Sequence, residues 1–151
     1  MDYVLQKATE LGVFSIQPLK SQRVEVRLDE NRQAKRMAHW QGVVISACEQ
    51  SGRALVPEVK TPLSLPEWMI SAVESPRLVL DPLAENSLSD LSVALDAISI
   101  LVGPEGGFTD EEMAKARVND VMPVSLGPRV LRTETAGPAA IAILQAKTGG
   151  F

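Results

Sequence analysis

The 151-residue sequence has one cysteine and one histidine. A single cysteine cannot close an internal disulfide or build a cysteine-rich zinc site. One histidine removes most imidazole-based metal and proton-relay chemistry as well. Aromatic residues are scarce: two tryptophans, three phenylalanines and one tyrosine, too few for base stacking to serve as a broad means of holding nucleic acid. No apolar run reaches the ~18 residues of a membrane-spanning helix. The N-terminal Met1-Asp2-Tyr3-Val4 lacks the basic segment and long apolar stretch of a secretory signal. These absences lead to the expectation of a cytoplasmic protein without a membrane or metal partner.

What is present is ordinary for a globular chain: 45% apolar and 23% charged residues, too apolar for a disordered one. The length suggests one domain, and a chain of this size buries about 70% of its unfolded surface without metal or disulfide staples. The net charge is −4, but it is unevenly spread. Residues 1–60 sum to +2, residues 61–100 to −5 and residues 101–151 to −1, and a partner senses such local distribution more than the total.

Apolar spacing predicts a helix over 2–11, with Asp2 as its N-cap and Gly12 after its end. Residues 13–19 read as a strand that Pro18 confines to an edge or terminus. The longest helix, 30–51, is capped by Asp29. Its apolar stripe is Ala34, Met37, Trp40, Val44 and Cys48, opposite Arg32, Lys35, Arg36, His39, Gly42, Ser46, Glu49 and Arg53, with Gly52 as its stop. A strand near 54–59 follows, then a helix over 65–74 opened by a Ser64/Glu67 capping box. Residues 77–81 and 98–102 read as buried strands, the latter as a central parallel one, with a loop and short helix between them. A Thr109/Glu112 capping box opens a helix over 110–118, ended by Asn119. A strand over 121–125 and a final apolar helix closed by Gly149-Gly150 complete the order. This alternation predicts an α/β fold with a mainly parallel sheet, and in such sheets ligands sit beyond the carboxyl ends of the strands.

Two of those strand ends carry unusual loops. Gly103-Pro104-Glu105-Gly106-Gly107-Phe108 lets the backbone approach a ligand and reach positive φ, to meet an adenine edge or a carboxylate. It lacks the Gly-Lys-Ser/Thr of a P-loop and the spacing of a dinucleotide fingerprint, and a tight strand-to-helix turn accounts for it equally. Residues 126–136, LGPRVLRTETA, place two arginines and a glutamate at a helix start. The planar guanidinium suits phosphate or carboxylate, Glu134 suits the helix dipole, and a salt bridge among Arg129, Arg132 and Glu134 is the structural alternative.

GPEGGF at 103–108 and LGPRVLRTETA at 126–136 resemble the signatures of the bacterial 16S ribosomal RNA uridine-N3 methyltransferases of the SPOUT superfamily. KATELG at 7–12, Trp40-Gln41 and ACEQSGR at 47–53 follow the same order and spacing. The resemblance covers essentially the whole chain, 1–151, as a SPOUT methyltransferase domain. Members usually begin with a PUA-like RNA-binding domain, which this sequence lacks, so the expectation is a short member or a fragment with weakened RNA affinity.

The resemblance implies a C-terminal deep trefoil knot, a homodimer and S-adenosylmethionine as cofactor. It assigns Leu80, Gly103, Glu105, Gly106, Leu126, Gly127 and Leu131 to the cofactor shell. It implies methyl transfer to N3 of a uridine in small-subunit ribosomal RNA or the 30S particle. Arg129 and Arg132 are then the groups for RNA phosphate or a uracil carbonyl, and Glu105 or Glu134 the acceptor of the N3 proton. Two alternatives are methylation of another RNA position and a cofactor-binding module inactive without its RNA-binding domain. Arg23, Arg32 and Arg53 are the candidate RNA contacts. Arg23 and Arg32 belong to a basic stretch over 20–36 that is otherwise a solvated face. His39 reads as a polar-face residue and Cys48 as a small core residue.

Overall fold

In a computed structural model of the chain, the structure describes residues 1–20, 30–71, 76–91 and 97–150. The chain divides into two compact units, Met1–Trp68 and Met69–Phe151. All strand pairs among the described residues are parallel, as the alternation of elements predicts.

In the first unit, α1 (Asp2–Glu10) packs on α2 (Glu30–Ser51). Leu5, Val44, Cys48 and Val59 are buried together, with Met37, Trp40, Val43 and Ile16 against them. Most of the expected stripe of α2 therefore faces the core, whereas Ala34 is exposed; it lies a full turn before the buried stretch. Met1, not Asp2, takes the N-cap position of α1, and Asp2 is its first helical residue. Gly12 follows the helix at φ +96°, the left-handed position that glycine takes without strain. Gly52 does the same after α2 at φ +73°. Asp29, the expected cap of α2, lies outside the described residues.

The expected single strand over 13–19 is two short ones. β1 (Ser15–Ile16) pairs with β3 (Glu58–Val59), and β2 (Leu19–Lys20) pairs with β4 (Leu63–Ser64). Pro18 stands between them. It has no N–H to give to a ladder, but its carbonyl accepts from Leu63 N at 3.1 Å, so pairing changes partner across it. The Gln41 side chain completes β3's free edge: its Nε2 donates to Pro57 O at 3.1 Å and its Oε1 accepts from Val59 N at 3.0 Å. α3 (Leu65–Ile70) begins in the first unit and runs across its boundary with the second; it is opened by the expected capping box, with Ser64 N donating to Glu67 Oε2 at 2.7 Å and Glu67 N to Ser64 Oγ at 3.3 Å. The helix stops at Ile70, short of the expected 74.

The second unit holds β5 (Arg77–Leu80), β6 (Ser99–Leu101) and β7 (Val121–Val124) in the order β6-β5-β7. β5 is therefore the middle strand, and the apolar run at 98–102, expected in the centre, lies at an edge. α4 (Asp110–Val118) opens with the Thr109/Glu112 capping box in full and ends at Asn119, as the sequence indicates. α5 (Thr133–Thr148) ends at Gly149 in the left-handed region. Leu78, Leu88, Val124, Ala140 and Leu144 form the buried core of this unit. Arg77 ties its base together, donating to the carbonyls of Met69 and Asn119.

The carboxyl end of β7 is held on both edges. Val124 O accepts from Asp81 N at 2.9 Å, on the β5 side. Ser125 N donates to Asn86 O, and Ser125 O accepts from Leu88 N, each at 2.9 Å. Neighbouring residues of an extended strand direct their N–H and C=O groups to opposite edges. Residues 86–88 therefore lie along the outer edge at the end of β7, so the segment leaving β5 crosses from one side of β7 to the other.

Candidate active site

The site builds on the carboxyl ends of the three parallel strands of the second unit. Leu80 and Val124 are register partners, so the loops after β5 and β7 start side by side. Leu80 and Leu126 both pack against the same buried cluster. After β6, Gly103 enters a tight turn in which Gly107 N donates to Pro104 O at 2.9 Å, with Gly107 at φ +69°. Of the three glycines of this loop, only Gly107 uses positive φ. Gly103 is needed for space: a Cβ there would meet the ring of Phe108 at 2.9 Å.

The two motif loops meet directly. Thr133 Oγ1 donates to Gly103 O at 3.1 Å, which brings the start of α5 against the end of β6. Gly137, one turn on, faces Val102, whose Cγ2 would lie 3.6 Å from an added Cβ. Between the loops, Gly127 sits at φ +95° and turns the chain after β7. Thus Leu80, Gly103, Leu126 and Gly127 come together at the strand ends, Glu105 and Gly106 form the exposed tip of the turn, and Leu131 is half-buried just before α5.

Arg129 and Arg132 are exposed and Glu134 is half-buried. Among the described residues no ion pair joins them and no side-chain hydrogen bond holds them, so the structural salt bridge weighed from the sequence does not form. Arg132 is the N-cap residue of α5; its carbonyl accepts from Thr135 N at 2.9 Å and Ala136 N at 2.8 Å. Two unengaged guanidinium groups and a carboxylate thus stand on or beside a rigid helical turn. Thr133, between them, is the residue that sequence reasoning passed over. A hydroxyl at the first helical position was its only local mark.

The remaining candidates belong to the first unit or lie outside the described residues. Arg23 is among the latter. Arg32 is exposed on α2. Arg53 is half-buried, and its Nη1 donates to Thr9 O at 2.7 Å, which gives it a structural tie that its assignment to the polar stripe did not foresee. His39 is exposed, as expected, and its Nε2 lies 2.7 Å from Asp2 Oδ2. That hydrogen bond holds the Asp2 carboxyl below the usual carboxylate range. Cys48 is buried, with Sγ 3.7 Å from Leu55 O.

A groove of about 580 Å³ opens beside α4, lined by Asp81, Leu83, Phe108, Met113, Arg117 and Pro123 among others. None of the seven residues assigned to a cofactor lines it. The loops at the strand ends carry the stronger case, because both long motifs converge there. The described residues contain no cluster of His, Cys, Asp and Glu able to hold a metal ion, and no helix long and apolar enough to cross a membrane.

The chain is similar to proteins of known kind over nearly its whole length. It is 38% identical over 150 residues to the ribosomal RNA small subunit methyltransferase E of Buchnera aphidicola subsp. Schizaphis graminum, covering 99% of this chain and 61% of that protein. The crystal structure of a ribosomal RNA small subunit methyltransferase E from Neisseria gonorrhoeae, bound to S-adenosyl methionine, superposes with a TM-score of 0.87. Its identity is 45%, covering 97% of this chain and 60% of that one. A protein of Legionella pneumophila solved in complex with bound SAM superposes at 0.90 with 42% identity, covering 97% and 60%. The chain thus spans about 60% of the length of these relatives. Residues 1–145 match the RNA methyltransferase domain family, and the chain belongs to that family.

Proposed function

We propose that this chain carries the catalytic part of an S-adenosylmethionine-dependent methyltransferase acting on uridine N3 in small-subunit (16S) ribosomal RNA. The observation that carries the proposal is the convergence of both motif loops at the strand ends through Thr133 and Gly103, in a chain alike to relatives solved with this cofactor. The loops suit such a ligand. Gly103 leaves no room for a side chain on its Phe108 side, and Gly127 turns at positive φ, so at both positions the loop backbone carries no side chain of its own. Leu80, Leu126 and Leu131 would border the adenosine, and Gly103, Glu105, Gly106 and Gly127 would meet its polar edges. When bound, the cofactor supplies an electrophilic methyl group on a sulfonium.

The chain's own residues supply positioning. The uridine N3 edge is hidden in pairing and must be unpaired or turned out to reach the site. Arg129 and Arg132, exposed and unengaged, would hold RNA phosphate or a uracil carbonyl. Glu134, half-buried at the helix start, or Glu105 would accept the proton that N3 must lose. In-line alignment of nitrogen and methyl group then provides most of the rate. Two observations support the knotted path common to the superfamily. The chain leaving β5 reaches the opposite edge of β7 at residues 86–88, and the chain leaving β7 returns to Gly103 beside β6. A homodimer is part of the same reading.

Small-subunit particles from a strain lacking the native enzyme provide the test. Incubation with the chain and cofactor, followed by mass mapping of the RNA, should place one methyl group on a uridine base at N3. A methyl group on ribose or guanine would overturn the position. Cofactor binding without any transfer would leave a binding module in its place.

A further inference from the structure

We propose that the Thr133 hydroxyl is a positioning group that sets the cofactor loop in register with the RNA-facing start of α5; the inference rests on the methyltransferase reading above. Gly103 is followed by Pro104, which has no N–H. The carbonyl of Gly103 is therefore the only hydrogen-bonding group of that peptide unit, and Thr133 Oγ1 donates to it at 3.1 Å. From another direction the Phe108 ring lies so close that a Cβ on Gly103 would stand 2.9 Å from it. One polar contact at its carbonyl and one steric limit at its Cα thus hold Gly103 where the turn to Glu105 and Gly106 opens. Thr133 is itself fixed, since it begins α5 and the turn around it is closed by the bonds from Thr135 N and Ala136 N to Arg132 O.

Arg132 and Glu134 flank Thr133 in the chain. The same hydroxyl therefore sets the loop that would hold the methyl donor against the residues that would hold its acceptor. Removing it leaves every proposed contact group in place but loosens their mutual registration. The expected result is weaker cofactor binding and slower transfer, with RNA capture unchanged. A hydrogen bond of this kind corresponds to a change of about three- to tenfold in affinity.

The test uses the 151-residue chain with Thr133→Val, Thr133→Ala and Thr133→Ser. Calorimetry with S-adenosylhomocysteine should show the Val and Ala variants weakened about three- to tenfold and the Ser variant close to wild type. On small-subunit particles, kcat should fall for Val and Ala while KM for the particle stays the same, and Ser should restore the rate. Exchange of the Gly107 amide, which closes the turn, should quicken in Val and Ala without a matching fall in melting temperature. Should Val fold poorly, Ala decides, since both lose the same hydroxyl. Wild-type affinity in both hydroxyl-free variants, or a Ser variant as weak as Val, overturns the inference. A wild-type chain that binds no S-adenosylhomocysteine overturns the cofactor reading itself, and this inference with it.

Discussion

The guanidinium of Arg53 donates to the backbone carbonyl of Thr9 at 2.7 Å, tying the segment after α2 to the end of α1. Two motif stretches far apart in sequence, KATELG and ACEQSGR, meet at this bond. The same carbonyl accepts from Gly12 N at 3.1 Å, so it anchors the turn that ends α1 as well.

Arg53 and Arg32 should therefore separate by experiment. Arg53→Ala should lower stability by about 1.5–3 kcal/mol, the scale of a hydrogen bond from a charged donor, measured by urea unfolding. Charge reversal of Arg32 and Lys35, both exposed on α2, should leave stability unchanged within about 0.5 kcal/mol. It should weaken RNA binding and flatten its salt dependence. An unchanged salt slope would return these residues to the role of a solvated helix face.

Acid should loosen the first unit through identified carboxylates. Asp2 is held below its ordinary value by the hydrogen bond from His39, and Glu67 by the bonds from the Ser64 backbone and hydroxyl. A carboxyl whose folded value is depressed contributes stability that is present above its unfolded value, ~4, and is lost as pH falls through the folded value. Thermal melts between pH 7 and pH 3 should thus fall in the acid limb. Asp2→Asn should lower the melt at pH 7 and make the decline below pH ~4 shallower. Parallel curves for wild type and variant would show that the His39 contact adds nothing.

The Thr109/Glu112 box starts α4 directly after the glycine loop. Thr109→Ala should cost about 1 kcal/mol, and Glu112→Gln should keep most of the wild-type value because the amide oxygen still accepts from Thr109 N. Chemical denaturation of the three proteins decides this, and equal midpoints would rule out a capping contribution.

Gly103→Ala should cost about 1–3 kcal/mol through overpacking against Phe108. Phe108→Leu in the same chain should recover part of that loss, giving a coupling energy in a double-mutant cycle. Additive losses would mean that the ring does not limit the site.

The sequence made local features legible and left pairings hidden. Thr109 and Glu112 stand three residues apart, so one helical turn brings them together and the pattern suffices. The ends of α1, α2 and α5 were readable from Gly12, Gly52 and Gly149 for the same reason. Strand order was not readable. Residues 98–102 form an apolar run that suits a central strand, yet β6 is an edge because β5 pairs with both neighbours. Pro18 marked an interruption, but only the fold reveals that pairing passes from β3 to β4 there. At the candidate site the glycine and arginine motifs were visible as separate loops. That Thr133 closes on Gly103, thirty positions away, depends on where β6 and α5 lie, and no local spacing encodes that.

Leu78 on β5 shares its buried core in the finished fold with Ala140 and Leu144 of α5. During synthesis at ~5–20 residues per second, that helix arrives roughly 3–13 seconds after the strand itself. For roughly the first two thirds of that interval the middle strand of the sheet lacks β7 as well as its helix. The core of the second unit is thus completed by the element made last, and the apolar face of its earliest strand waits for that element.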